Sequence, residues 1–209
     1  MISGLNGVAA YLDDLIITGK TYDEHIENLT ALFRRLDEFG FRVKREKCEF
    51  FKNSVEYLGH IIDKHGKRPS DTSIDAIKRL PKPTNLRELQ AFLGKINYYG
   101  RYIARMSDKA APLYAMLKKD VAFNWDAKCD TAFEQLKGDV IDATRLAHFD
   151  DSKPLILATD ASNNGVGAVL LQEIDGGEVP IAHASKTLTD SQKRYSQIEK
   201  EALSIIFGE

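Results

Sequence analysis

Hydrophobic and polar positions along the chain follow two periods, and the switches between them lay out the elements. Val8-Ala9-Ala10-Tyr11-Leu12 and Leu15-Ile16-Ile17 are short β-prone runs flanking two acidic residues, which reads as a tight hairpin with Tyr11-Leu12-Asp13-Asp14 at its tip. Ile26, Leu29, Leu32, Phe33, Leu36 and Phe39 then recur at helical spacing as one apolar stripe. Thr21 or Asp23 can cap this helix, which runs to Gly40 and is expected to pack on a sheet. Phe41-Arg42-Val43-Lys44-Arg45 alternates like a half-buried strand with Phe41 and Val43 inward. Val55 to Ile62 is a second β run, followed by a turn at Asp63-Lys64-His65-Gly66. Gly59 inside that run suggests a bulge or the close approach of another backbone.

From Ser70 the period becomes helical. Ile74, Ile77 and Leu80 are spaced by three, and Pro81-Lys82-Pro83 stops that helix. Asn85 with Glu88 has the pattern of a capping box, with Thr84 as an alternative cap, and Leu86, Leu89, Phe92, Leu93, Ile96 and Tyr99 form the stripe behind it. Gly94 costs about 1 kcal/mol relative to Ala in such a helix, which a close helix crossing would justify. Pro112-Leu113 opens a short helix reaching Leu117, and Asp126 caps another with Ala132, Phe133 and Leu136 inward. The polar segment Asp150-Asp151-Ser152-Lys153-Pro154 leads back to β texture. Leu155 to Thr159 is a continuous apolar strand ending at Asp160. Turns at Asn163-Asn164-Gly165 and Asp175-Gly176-Gly177 set off further strands at Val166 to Gln172 and Pro180 to Ala184, so three antiparallel strands are expected. Ser196 and Glu199 form another capping box, opening a helix with Ile198, Ala202, Ile205 and Ile206 inward.

Composition narrows the class. With 209 residues, 43% apolar and 29% charged, the chain is globular material for one domain or two small ones. No apolar run approaches a membrane span and Met1-Ile2-Ser3-Gly4-Leu5 lacks a signal pattern, so an intracellular protein with no membrane partner is expected, in a cytoplasmic particle or the nucleus. Cys48 and Cys129 have no metal-ligand spacing and read as reduced thiols. A net charge of −2 argues against holding nucleic acid by bulk charge, so local clusters decide. Arg42, Lys44, Arg45 and Lys47 form one basic stripe, equally readable as a solvated strand face. Lys95, Arg101 and Arg105 with Tyr98, Tyr99 and Tyr102 suit phosphates and bases, although aromatic residues at this spacing also suit a core. His60, alone among apolar neighbours, reads as structural. Asp13-Asp14 has two readings. It is a solvated turn, or it is a metal site in which magnesium relieves the repulsion of adjacent carboxylates and gathers substrate phosphates.

In order along the chain, Tyr11-Leu12-Asp13-Asp14; Val55-Glu56-Tyr57-Leu58-Gly59-His60-Ile61-Ile62; Leu89-Gln90-Ala91-Phe92-Leu93-Gly94 with Asn97-Tyr98-Tyr99; and Ala158-Thr159-Asp160-Ala161-Ser162 with Gln197 to Leu203 make a specific set. Together the sequence resembles the polymerase and RNase H region of gypsy-type LTR retrotransposon Pol polyproteins. The resemblance implies an α+β fold: the C-terminal part of a reverse-transcriptase palm with its primer-grip hairpin at 1–66, a helical thumb at 67–118, a connection at 119–153, and at 154–209 the N-terminal portion of a truncated RNase H-like α/β domain. It implies that Asp13 and Asp14 are polymerase carboxylates on two magnesium ions, with Tyr11 and Leu12 shaping the floor beside them. Tyr57, Leu58, Gly59 and His60 would position the primer end, and Lys95 and Arg101, with Arg105, would touch template or primer phosphates. Asp160 and Glu201 would hold magnesium for cleavage of RNA in an RNA-DNA hybrid. Helical geometry leaves Glu199 and Glu201 equivalent, and the family pattern favours Glu201.

The same family requires a further palm aspartate before the hairpin and further RNase H acids after the first helix, neither of which lies in 1–209. The expectation is therefore a reverse transcriptase with RNase H in lineage, acting on primer-template, hybrid and dNTPs together with the remainder of its polyprotein (fingers, protease, integrase), whose 209 residues alone catalyse neither reaction. The competing expectation is a non-catalytic nucleic-acid-binding or scaffold remnant of such an element.

Overall fold

The computed structural model describes all of residues 1–209. They form two compact units, Met1–Asn53 and Ser54–Glu209. In the first, strands β1 (Val8–Tyr11) and β2 (Asp14–Ile17) pair antiparallel with Tyr11 opposite Asp14. Helix α1 (Tyr22–Glu38) follows, capped by Thr21, whose hydroxyl accepts the Glu24 N–H at 3.2 Å. The Asn28 amide donates to the Thr18 carbonyl at 2.8 Å and ties the helix to the end of β2. Leu32 and Leu36 are buried, but Phe33 and Phe39 are exposed, so the inner stripe is narrower than its periodicity suggests. The strand expected at 41–45 does not form. A single 3-10 turn at Arg45–Lys47 replaces it, and Phe41 and Val43 are exposed. The physical reason is pairing: alternation places side chains, but a strand also needs a neighbour for its N–H and C=O groups, and the only sheet of this unit is β1-β2.

The second unit opens with an antiparallel meander of β3 (Ser54–Tyr57), β4 (His60–Asp63) and β5 (Gly66–Pro69). The run from 55 to 62 is thus two strands joined by a turn at Leu58-Gly59, with φ of +50° and +72°, rather than one strand with a bulge. A Cβ on Gly59 would stand 2.9 Å from the Tyr99 hydroxyl and 3.0 Å from Ser73 Oγ, and the Gly59 carbonyl accepts the Ser70 backbone N–H at 2.9 Å, so both side chains and another backbone approach it. Strand β5 is missing from the sequence reading because Gly66-Lys67-Arg68-Pro69 has no apolar alternation. Its Lys67 exchanges two backbone hydrogen bonds with Leu146, each 2.9 Å long. The hairpin of β3 and β4, read from sequence with segment 1–66, folds within this second unit.

Helices α2 (Asp71–Lys78), α3 (Leu86–Tyr98), α4 (Met106–Lys109), α5 (Ala111–Ala115) and α6 (Ala127–Ile141) build the main core around Ile77, Leu89, Ile96, Leu113, Phe133 and Leu136. Asn85 caps α3 by accepting the Glu88 N–H at 3.0 Å, while Glu88 reaches back to accept the Thr84 N–H and the Asn85 side-chain amide, both at 2.8 Å. Leu86, in the first turn, is exposed. Gly94 lies against no close crossing: a Cβ there would meet nothing within 4 Å.

A second sheet, in the order β6 (Leu155–Ala161), β7 (Gly165–Ile174) and β8 (Gly177–Thr187), is antiparallel throughout, with a register shift between Leu170 and Leu171. Helix α7 (Gln197–Gly208) packs on β6 and β7, and both arms of its capping box are formed. Its inner face differs from the expected one. Ile198, Ala202, Ile205 and Ile206 are exposed, whereas Lys200 and Ser204 are buried and Leu203 and Phe207 join the small core of Ala161, Val166 and Leu188. The buried polar pair is satisfied: Ser204 Oγ bonds Thr159 Oγ1 and Lys200 Nζ donates to Asn163 Oδ1, both at 3.1 Å. The apolar strand expected at 155–159 forms as β6, with Leu155 and Leu157 exposed on it. No helix is long and apolar enough to cross a membrane.

Candidate functional site

Four groups of residues are candidates for the chemistry. The first is the β1-β2 tip, where Leu12 and Asp13 form the turn and Leu12 takes a φ of +54° while 87% exposed. A leucine in the left-handed region is strained, and it is placed beside Asp13, with Asp14 at the start of β2 and the Tyr11 ring exposed before the turn. Both carboxylates are exposed.

The second group surrounds the Leu58-Gly59 turn. The Tyr98 hydroxyl, from the end of α3, donates to the Leu58 carbonyl at 2.5 Å. His60 stacks on Tyr98 with ring centroids 5.3 Å apart, and its Nδ1 lies 3.0 Å from the Tyr102 hydroxyl. The hairpin is therefore clamped to the helix that follows it. Tyr99 and Tyr102 are buried, which makes them core, whereas Tyr98 is half exposed. Burial lowers the His60 pKa, and the nearby charges of Arg101 and Lys67 lower it further, which favours the neutral ring. Lys67 is itself lowered by burial and by Arg101. Burial pushes the Tyr102 phenol up to about 12 although Arg101 opposes this. Two cations thus lie near this turn, and neither forms an ion pair with a carboxylate. Lys95 is exposed on the same helix.

Arg101 also lines the third feature, a cleft of about 370 Å³ between the end of α3 and strand β8. Tyr98, Tyr114, His183, Ser185 and Thr187 line it too, and none of its lining residues is acidic.

The fourth group lies at the end of β6. Gln197 donates from one amide nitrogen to the Ala161 carbonyl at 3.2 Å and to Glu201 Oε1 at 2.6 Å, tying Glu201 to the strand residue next to Asp160. Glu199 is engaged elsewhere. It accepts the Ser196 N–H at 2.7 Å, and these cap bonds lower its pKa. Asp160 is approached by Arg105, whose Nη1 is 3.4 Å from Asp160 Oδ2 while its Nε donates to Asp108 Oδ2 at 3.1 Å. Arg105, expected with Lys95 and Arg101 as a phosphate contact, forms ion pairs with Asp108 and Asp160. Sequence spacing does not reveal this contact, because Arg105 and Asp160 are 55 positions apart. Asp108 escapes the sequence reading for the same reason, and Ser162 and Gln197, present in the motifs, gain their partners Asp108 and Ala161 only through the fold. The donors at both carboxylate pairs are the hard oxygens that magnesium takes. No group of three or more His, Cys, Asp or Glu side chains that could hold a metal ion is gathered in 1–209.

Residues 3–62 match the model of the reverse transcriptase (RNA-dependent DNA polymerase) family, and residues 125–208 that of the RNase H-like domain found in reverse transcriptase. The Transposon Tf2-3 polyprotein of Schizosaccharomyces pombe is 35% identical over 200 residues, 95% of this chain and 15% of that protein. The retrovirus-related Pol polyprotein from transposon 412 of Drosophila melanogaster is 35% identical over 195 residues, 93% of this chain and 16% of that one. The chain thus spans about a sixth of the length of these relatives. Among solved structures, a foamy viral protease-reverse transcriptase in complex with double-stranded DNA matches with a TM-score of 0.82 at 25% identity, over 98% of this chain and 36% of that one. The foamy viral enzyme in complex with an RNA/DNA hybrid matches with a TM-score of 0.81, also at 25% identity, over 99% and 28%. The chain therefore belongs to the reverse transcriptase family, carrying reverse-transcriptase and RNase H-like domains of an LTR-retrotransposon Pol polyprotein.

Proposed function

We propose that these 209 residues bind the primer-template and RNA-DNA hybrid of a reverse transcriptase and contribute part of each of its two magnesium sites. The carrying observation is the Leu58-Gly59 hairpin clamped by the Tyr98 hydroxyl at 2.5 Å, with the exposed Arg101 and the half-buried Lys67 beside it and no ion pair from either to a carboxylate. A phosphodiester is the anion that such a site lacks. Tyr98 offers a half-exposed ring for stacking, and the Leu58-Gly59 turn presents backbone at the same place, as a grip on a primer end requires. The segments 1–66, 67–118, 119–153 and 154–209 correspond in this reading to palm end, thumb, connection and RNase H-like portion. Asp13 and Asp14 serve nucleotidyl transfer from dNTPs, and Asp160 and Glu201 serve RNA-strand cleavage. Magnesium, when bound, supplies Lewis-acid stabilisation and nucleophile activation. Two carboxylates per site are an incomplete set, so the remaining ligands come from other parts of the polyprotein, and the 209-residue polypeptide by itself turns over neither substrate.

Fluorescence anisotropy with a labelled RNA-DNA hybrid over a range of salt tests the binding reading. Affinity falls linearly with salt on logarithmic axes, and Arg101→Ala lowers the magnitude of the slope by about 0.9, the signature of one lost phosphate contact. A slope identical in the wild type and the Arg101→Ala variant counts against this interface.

A further inference from the structure

The contact between Arg105 and Asp160 joins a residue of the helical part to the first carboxylate of the RNase H-like part, and three observations mark it as built. Arg105 has φ +52° and ψ +39°, a left-handed conformation that glycine and asparagine adopt cheaply and arginine does not, so its presence there points to a use for the side chain. Its guanidinium is held from behind by Asp108, whose other oxygen accepts the Ser162 hydroxyl, two residues beyond Asp160 on the same strand end. Its stem passes over Gly167, which pairs directly with Asp160 across β6 and β7: a Cβ on Gly167 would stand 3.7 Å from Arg105 Cγ. The neighbouring Ser107 N–H donates to Ser185 Oγ at 3.1 Å and fixes the start of α4 on β8.

We infer that Arg105 is a resident counter-ion of Asp160, a positioning residue that holds this carboxylate and that a divalent cation displaces on binding. The chemistry is direct competition. A carboxylate oxygen that faces a guanidinium at 3.4 Å is less available to a metal, and a positive charge left beside an arriving dication repels it. Entry of metal therefore requires the guanidinium to turn toward Asp108, which already holds its Nε. The occupancy of the RNase H-like site becomes coupled to the segment that carries Arg105. This inference rests on reading Asp160 as a carboxylate of that site.

The test uses Mn2+ as the probe on the 209-residue chain, with free Mn2+ measured by electron paramagnetic resonance and Asp160→Asn defining the binding that belongs to this site. Arg105→Asn removes the charge and suits the left-handed backbone, while Arg105→Lys keeps the charge. The expected result is Asp160-dependent Mn2+ binding roughly 2- to 5-fold tighter in Arg105→Asn than in the wild type, the range of an exposed ion pair, with Arg105→Lys close to the wild type. In a second measurement, added Mg2+ shifts the Arg105 Nε–H resonance in the wild type and leaves it unmoved in Asp160→Asn. Equal Asp160-dependent affinity in the wild type and Arg105→Asn would overturn the inference while leaving the site intact. Absence of any Asp160-dependent binding in both would overturn the reading of Asp160 as well.

Discussion

Replacing Phe133 by Ala destabilises the Ser54–Glu209 unit by about 3–5 kcal/mol, the range for truncating a fully enclosed aromatic side chain. Phe133 is 1% exposed, with its ring 4.6 Å from that of Phe92 on α3 and 5.8 Å from Trp125, centroid to centroid, and the ammonium of Lys137 above its face. The large cost has two sources. Transfer of the ring to water on unfolding is lost as a driving force, and the cavity left behind is walled by α3 and α6, each held by its own cap and unable to collapse freely. In thermal unfolding this corresponds to a fall of about 10 °C for a unit of this size. Phe133→Leu fills most of the same space and costs about 1 kcal/mol. A transition for Phe133→Ala that coincides with the wild type would mean that α6 is not packed as described. Because α3 carries Tyr98 at its end, the same substitution loosens the clamp on the Leu58-Gly59 turn and weakens hybrid binding.

Gly66→Ala costs about 2–4 kcal/mol for a different reason. Gly66 has φ +139°, and a Cβ built on it would sit 2.0 Å from the Leu146 carbonyl oxygen and 2.9 Å from its carbon. That obstacle is backbone and cannot rotate away. To admit a methyl group, Leu146 has to leave its two reciprocal hydrogen bonds with Lys67, and Leu146 is 1% exposed in the main core. The effect also reaches the candidate interface, because Lys67, displaced with β5, is one of the two cations beside the turn. Chemical denaturation of the variant should show a reduced midpoint, and hydrogen exchange should show early loss of protection at the Lys67 and Leu146 amides. Wild-type protection at both would contradict the bridge as a structural tie.

Much of this architecture is legible in the sequence, and what is illegible has identifiable causes. Helix starts are readable because a cap is a local event: Thr21, Asn85, Asp126 and Ser196 each accept the N–H three residues on, a distance that side-chain type and spacing reveal. Glycine-containing turns such as Asp175-Gly176 are readable because positive φ selects their residues. The inner face of α7 is not. Its helix has two apolar faces, and the side that meets the sheet includes Lys200 and Ser204, whose burial depends on Asn163 and Thr159 brought there by the fold. Strand β5 and the absent strand at 41–45 are mirror cases: one pairs without alternation and the other alternates without a partner. At the carboxylate sites, residue types point to Asp13, Asp14, Asp160 and Glu201 through resemblance, and the capping-box spacing already commits Glu199 to Ser196, while the engagement of Glu201 with Gln197 and of Asp160 with Arg105 emerges only in three dimensions.

The central claim is that these residues bind reverse-transcription substrates and hold only part of each magnesium site. The most direct measurement offers the purified 209-residue polypeptide a primed template with magnesium and dNTPs, and in parallel an RNA-DNA hybrid, following binding, extension and cleavage together. The account predicts salt-dependent binding to the hybrid with neither extension nor cleavage. Sustained primer extension that disappears in Asp13→Asn would contradict it, since it would mean that two carboxylates suffice for the polymerase site.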